Sequence, residues 1–346
     1  MTRRILLGLL VLGPAVVVVD LLGAPEMLLF VLAAAALIPL AWLIGEATEH
    51  AAHHTGPGVG GFLNATFGNA PELIIALFAV NEGLTEVVRG SLSGSVIGNL
   101  LLVLGFSLLF GGKGELDRES SFVSFGLVGL ATLLFLVPSI PGWDGNPERH
   151  TLARLSLPVS IVLLLVYVAV TWYTLRRHRR QHVAEVPDDF DAWSLRIALL
   201  VLAGATVVTA RVAEILVHTL TTFAEKAHLT DFFVAAVIVA IVGNAAEHGG
   251  AVVVAARGKI KLAAEIALAS SAQVAVFLIP AVALIAWAID PLALSFRPVE
   301  IAVLGGSTLL ATAVLWDGRS SRLRGAILIA AYVGAATAFF LSGDRT

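Results

Sequence analysis

The chain has 346 residues, of which 58% are hydrophobic and 14% charged, with a formal net charge of −3 and a mean hydropathy of +0.91. Soluble domains carry about 25% charged residues, so this composition excludes a soluble fold and marks an all-α polytopic membrane protein whose surroundings are the lipid bilayer. The weak charge balance gives no basis for a nucleic-acid partner, and the absence of cysteine excludes disulfides, thiol redox chemistry and thiolate metal sites.

A crossing helix needs roughly 20 apolar residues. Read between polar and Gly/Pro breaks, the chain offers eleven candidate spans in order: 5–23, 26–52, 58–81, 84–111, 121–140, 152–175, 193–224, 230–256, 260–289, 297–316 and 324–342. The first follows Arg3 and Arg4 as a signal peptide would. Its apolar run is longer than a signal core and lacks an A-x-A cleavage site, so it reads as a retained helix. Of the 22 basic residues, Arg89, Arg196 and Arg211 fall within spans. The alternating loops place 14 of the others on one side, including Arg176, Arg177, Arg179, Arg180, Arg257, Lys259 and Lys261, and 5 on the other. The positive-inside rule then predicts a cytoplasmic N-terminus and an external C-terminus, in the cell (inner) membrane.

One long hydrophilic stretch, 176–192, runs from the basic block into the acids Glu185, Asp188, Asp189 and Asp191. It divides the chain into an extra N-terminal helix (1–25), a first five-helix unit (26–175), the cytoplasmic connector and a second five-helix unit (193–346). The two units share a theme. GNAPELIIALFAV (68–80) and GNAAEHGGAVVVA (243–255) each carry a glutamate four residues after the glycine, at Glu72 and Glu247. Ser95 and Ser270 each follow their glutamate by 23 residues, and Asn99 and Gln273 follow by 27 and 26. Upstream, Glu46 with His50 and Glu214 with His218 repeat the spacing E-x-x-x-H. The two glutamate helices are the third and eighth spans. They therefore cross in opposite directions, which predicts an inverted-topology repeat with its site at the midplane.

An ionisable group inside a hydrocarbon-spanning helix costs several kcal/mol and by default marks an ion or proton path. Gly68 and Gly243 weaken each helix just before its acid. Pro71 removes a donor and clashes with the carbonyl of Phe67, four residues back. The two carboxylates, carbonyls freed at such breaks and the side chains of Asn69, Asn244, Ser95, Ser270, Asn99 and Gln273 predict an all-oxygen site. Hard cations such as calcium take 6–8 oxygen ligands. With His248 as the one nearby imidazole, a softer metal is less favoured. Two glutamates neutralise one divalent ion, and when it leaves protons take its place, so exchange follows from competition for one site.

The segments GNAPELIIALFAVNEGLTEVVRGSLSGSVIGNLLLVLG and GNAAEHGGAVVVAARGKIKLAAEIALASSAQVAVFLIP, with FLNATFGNA at 62–70, resemble the paired signature repeats of the cation/proton exchangers of the calcium/cation antiporter superfamily. The resemblance covers nearly the whole chain. It implies a secondary active transporter without a cofactor, with Ca2+ and H+ as its transported substrates. It further implies Glu72 and Glu247 as the calcium-holding acids, with the second and seventh helices as a sliding gate. Two departures stand out: Pro71 replaces a small or branched aliphatic residue, and the connector's acidic part is short, which bears on regulation of the family's type.

Other readings compete. Asn and Ser side chains are common interhelical hydrogen-bond partners in membranes, and His248 can ligate, relay protons or pack. Glu46, Glu49, His50 and His53 share one face near the cytoplasmic end of the second span, as an access path or as interfacial residues. Glu214 and His218 pose the same choice, and Arg211 is placed to pair with Glu214. A sodium/calcium exchanger or a broader cation/proton antiporter is the alternative transport reading, but sodium-coupled relatives usually carry Thr or Ser around the acids where this chain has Asn and Ala. An intramembrane metalloenzyme built on His50, His53 and His54 lacks an H-E-x-x-H motif. A passive channel would share the acids without dependence on a pH gradient.

Overall fold

The computed structural model describes residues 2–143, 149–181 and 193–343. Acids 185–191 of the connector lie outside the described residues. Among the described residues the regular structure is helical, apart from a two-residue ladder between β1 (Gly114–Glu115) and β2 (Arg319–Ser320) that clips two loops together. Among the described residues eight helices are long and apolar enough to cross a membrane, or nine if the bent pair Asp231–Gly243 and Glu247–Ala256 counts as one span. Two shorter apolar helices, Ala70–Asn81 and Pro298–Val314, accompany them. The eleven expected spans are thus matched one for one only when the bent pair and both shorter helices are counted. The third and tenth expected spans carry the short helices because a motif break and an N-terminal proline shorten them.

The first expected span is two helices, α1 (Thr2–Leu9) and α2 (Leu12–Leu21). The sequence parts the second and third spans at about residue 55, yet helical hydrogen bonding continues through α3 (Glu26–Phe67). That helix is no straight rod. A Cβ on Gly60 would lie 3.0 Å from the carbonyl oxygen of Ala52, whereas a rise of 1.5 Å per residue would separate these positions by about 12 Å. The chain therefore doubles back between Ala52 and Gly60, over the stretch where the sequence breaks the apolar run. It then reaches α4 (Ala70–Asn81) across a second break at Gly68 and Asn69.

The remaining elements are α5 (Thr85–Ile97), a π-helical stretch (Gly98–Val103), α6 (Leu104–Gly111), α7 (Arg118–Ser139), α8 (Arg149–Gln181) and α9 (Leu195–Ala227). There follow α10 (Asp231–Phe233), a second π stretch (Val234–Val239), α11 (Ala240–Gly243), α12 (Ala245–Ala256) and α13 (Ile260–Gln273). A third π stretch (Val274–Leu278), α14 (Ile279–Ala286), α15 (Pro298–Val314) and α16 (Arg322–Ser342) complete the chain.

Helices α3 and α9 pack antiparallel. Phe30 stacks on Phe223 at 4.1 Å at one end and His50 on Trp193 at 4.3 Å at the other. Helix α2 lies against them, with Gly13 close to Val208 and Leu40, and Asp20 paired to Arg211 at 2.6 Å. Around the second bundle, small residues let backbones meet, the packing that lipid surroundings favour. A Cβ on Gly94 would fall 2.1 Å from the Ala236 carbonyl oxygen, and one on Gly325 2.5 Å from that of Gly105. The Gly305–Gly306 pair serves no such approach: Gly305 only touches Thr132, and Gly306 faces open space. Gly94→Ala should therefore destabilise by about 1–3 kcal/mol or more, because backbone must move. Gly129→Ala, on a helix surface with nothing within 4 Å, is the control. Thermal unfolding in detergent reads the difference, and equal melting of the two variants would contradict it.

The extended segment before α15 is buried, so its backbone needs partners. The amides of Leu294 and Phe296 donate to Ser156 Oγ and Ser139 Oγ at 2.8 and 2.9 Å, and Trp143 Nε1 donates to the Phe296 carbonyl at 2.9 Å. Arg89 donates to the Ser295 carbonyl at 3.3 Å and pairs with Glu86. Arg297 binds Glu300, which is 0% exposed, at 2.5 Å and lies over the ring of Phe232. Charges this deep persist because each has an opposite neighbour.

Candidate functional site

Both glutamates sit in the same local structure. Asn69 (φ −102°, ψ 18°) and Asn244 (φ −93°, ψ 4°) leave helical geometry and begin α4 and α12, so Glu72 and Glu247 each occupy the third helical position. That position faces the positive end of the helix dipole, which favours an anion. Pro71 stands in the first turn of α4, where its missing N–H takes nothing from the helix. In the second unit the two half-helices meet at 58°. The glycine-asparagine pairs thus break both helices where the sequence predicts.

The two breaks face each other. A Cβ on Gly243 would lie 3.5 Å from Glu72 Cγ and 3.9 Å from its Oε1. Gly68 and Glu247 in turn line one cavity of about 700 Å³, together with Gly243, Ser270 and Gln273. Glu72 is 5% exposed, while Glu247 opens onto the cavity, and the two carboxylates act on each other electrostatically.

Hydrogen bonds link the predicted polar residues across the two units in two sets, one around Asn99 and Asn244 and one between Asn69 and Gln273. Ser270 Oγ donates to Glu247, and Asn99 Nδ2 donates to Ser270 Oγ (3.2 Å) and Asn244 Oδ1 (3.4 Å). Asn244 Nδ2 reaches Ser95 Oγ and the Ala240 carbonyl, both at 2.8 Å, and Asn69 Nδ2 reaches Gln273 Oε1 at 3.5 Å. Two acceptors at the site, Glu72 Oε2 and Asn99 Oδ1, are buried without a hydrogen-bond partner, as is His248 Nε2. Buried unsatisfied oxygens are costly unless something positive meets them. Among the described residues no three His, Cys, Asp or Glu side chains converge, so a hard cation here would draw on two carboxylates plus amide and hydroxyl oxygens.

The outlying candidates divide. Glu46 and Glu49 line the same cavity, but His50, expected on their face, turns away. It is buried, stacks on Trp193, and accepts that residue's N–H at Nδ1 (3.2 Å). Glu214 is held by Arg211 at 2.7 Å, and His218, 73% exposed, lies 3.8 Å from Glu82; neither lines the cavity. Sequence reasoning missed Glu265, a further cavity acid, although an acid within the apolar run of α13 gave the same signal as Glu72. It also missed the π stretches following Ser95 and Ser270. Such stretches are frequent at functional sites, but polarity patterns do not encode a shifted backbone register.

The sodium/calcium exchanger protein family matches residues 26–176 and 197–341. The Ca(2+)/H(+) antiporter ChaA of Bacillus subtilis (strain 168) is 39% identical over 95% of this chain and 96% of its own. A Ca(2+)/H(+) antiporter of Aphanothece halophytica is 35% identical over 98% and 96%. Among solved structures, native YfkE superposes with a TM-score of 0.83 at 36% identity, over 97% of this chain and 99% of that one. The H+/Ca2+ exchanger CAX, at 16% identity and a TM-score of 0.75 over 98% and 92%, shares the fold.

Proposed function

Since the chain belongs to the sodium/calcium exchanger family, an integral membrane transporter fold, we propose that it is a Ca2+/H+ antiporter exporting cytoplasmic calcium in exchange for protons. The observation that carries this reading is the pairing of Glu72 and Glu247 at two facing helix breaks, with an amide and hydroxyl network running from Glu247 across both units to Ser95. Relatives named as Ca(2+)/H(+) antiporters at 35–39% identity over nearly the full length support the choice of ions. With calcium bound, the two carboxylates balance its charge; with calcium gone, protons replace it. Only these neutralised states reorient readily, because moving an empty, doubly negative site across apolar surroundings is costly.

An inverted repeat fits the packing. Ser271 Oγ donates to the carbonyl of Val96 at 3.0 Å, a residue 175 positions earlier. The same offset separates Glu72 from Glu247, so the bond joins counterpart positions, as expected beside a symmetry axis. With the N-terminus inside, the end of the cavity at Glu49 and Ala52 is cytoplasmic, and the cavity is an inward-facing vestibule. The engagement of His50 with Trp193 argues against an intramembrane metalloenzyme. The test is calcium flux in vesicles under imposed proton or sodium gradients.

Asn69→Ala and Asn244→Ala should each raise the half-saturating calcium concentration, by about tenfold for loss of a charge-assisted contact. Asn244→Ala should act more strongly, since Asn244 bonds Ser95, Asn99 and Ala240. Unchanged concentration dependence in both would assign the asparagines to helix packing.

A further inference from the structure

Glu265 lies on the wall of the vestibule, five residues before Ser270. Ala269 and Gln273 follow it at intervals of four, so one face of α13 runs from Glu265 down to Gln273, beside Ser270, which bonds Glu247. Glu46 and Glu49 of α3 line the opposite wall. At the floor, behind Gly243, stands the buried Glu72 carboxylate, with Oε2 lacking a hydrogen-bond partner. A cation moving down the vestibule therefore passes Glu265 before it reaches Glu247.

Lys261, one turn before Glu265, is the competitor. Four residues apart on a helix, the two can meet, and they already act on each other electrostatically. The ammonium is drawn elsewhere: Lys261 Nζ lies 3.1 Å from Asp117 Oδ2, at the N-cap of α7. Asp117 is well suited to hold it. The backbone N–H of Ser120, and then Lys261 itself, keep its carboxyl below the ordinary carboxylate range, so it is ionised at neutral pH.

Resting on the calcium/proton reading above, we propose that Glu265 captures the divalent cation on its way to Glu247, and that Asp117 is a positioning residue that keeps Lys261 off Glu265. Neither group enters the site itself. Both act on how readily calcium arrives, through a charge in a water-filled cavity that salt screens.

The experiment uses the full chain in proteoliposomes, with calcium presented to the vestibule side at low and at high monovalent salt. Glu265→Gln should raise the half-saturating calcium concentration about fivefold at low salt, the scale of one charge acting on a divalent ion across water. The difference should shrink at high salt, with the maximal rate kept. Asp117→Asn should shift half-saturation the same way by releasing Lys261 onto Glu265. Lys261→Gln should lower it, and Asp117→Asn combined with Lys261→Gln should behave as Lys261→Gln alone. An unchanged half-saturation in Glu265→Gln at low salt, or a fall in maximal rate alone, overturns the capture role. If Asp117→Asn does not shift while Glu265→Gln does, the positioning role falls. Absence of calcium/proton exchange in the unmodified chain removes the underlying reading, and the proposal with it, before any variant is compared.

Discussion

Glu72→Gln and Glu247→Gln should each lower calcium transport by about a hundredfold or more while leaving a folded protein. The amide keeps the shape of the side chain but removes the charge that balances the ion and the proton exchanged for it. Breaking one partner of a buried charge pair costs about 3–5 kcal/mol, which is at least two orders of magnitude in binding. The fold should survive because the side chain of Glu72 packs against a glycine and that of Glu247 opens onto the cavity. The two variants should differ in one respect. Ser270 Oγ, which donates to the Glu247 carboxylate, can still donate to the amide oxygen that Glu247→Gln puts in its place. The more deeply buried Glu72 instead gives up a carboxylate with an oxygen that has no protein donor. Glu72→Gln should therefore also raise thermal stability in the absence of calcium. Size-exclusion profiles, melting curves and calcium flux on the same preparations check each point. Robust flux from either variant would remove the two-carboxylate site.

The same residues show how far the sequence could be read. Glu72 and Glu247 were legible because a charge in an apolar run has few bland explanations, and a repeated Gly-Asn-Ala before each places both at a helix break. Serine, asparagine and glutamine were legible by type and spacing; the network at Asn99 and Asn244 brings both serines together, and Gln273 meets Asn69. What was not legible needed tertiary neighbours. Glu46, Glu49 and His50 occupy one face of α3 by periodicity alone. Two different elements meet the flanks of that face: the start of α9 takes His50 against Trp193, and the cavity beside α13 takes the two acids. Glu265 gains meaning only when α3 stands opposite. The doubling back of α3 was visible as a Gly/Pro break but not as continued helical hydrogen bonding, because glycine composition reports flexibility and not the path taken. The cluster of Arg89, Arg297 and Glu300 could not be assembled either, since its members are brought together by an extended segment with no periodicity to read.

A transmembrane pH difference, acidic on the side opposite the calcium, should drive calcium uptake into vesicles that contain no sodium, and a protonophore should stop it. The sign follows from competition. If protons and calcium use the same two carboxylates, as proposed, calcium binding releases protons and weakens as pH falls on the calcium side. Acid on the opposite side does the reverse, displacing calcium there and returning the carrier in its protonated form. The half-saturating calcium concentration should thus rise as the calcium side is acidified, and the rate at saturating calcium should rise as the other side is acidified. Sodium should not replace protons. Three and two positions before each acid stand Asn69 and Ala70 in one unit and Asn244 and Ala245 in the other, and the amide of Asn244 is already committed to Ser95 and the Ala240 carbonyl. A hydroxyl-rich shell, which would suit a hard monovalent ion between the acids, is missing at these four positions. Stopped-flow uptake with a calcium indicator, under crossed pH and sodium gradients, separates the two couplings. Uptake driven by sodium at equal pH and indifferent to protonophore would overturn proton exchange and establish a sodium/calcium exchanger in its place.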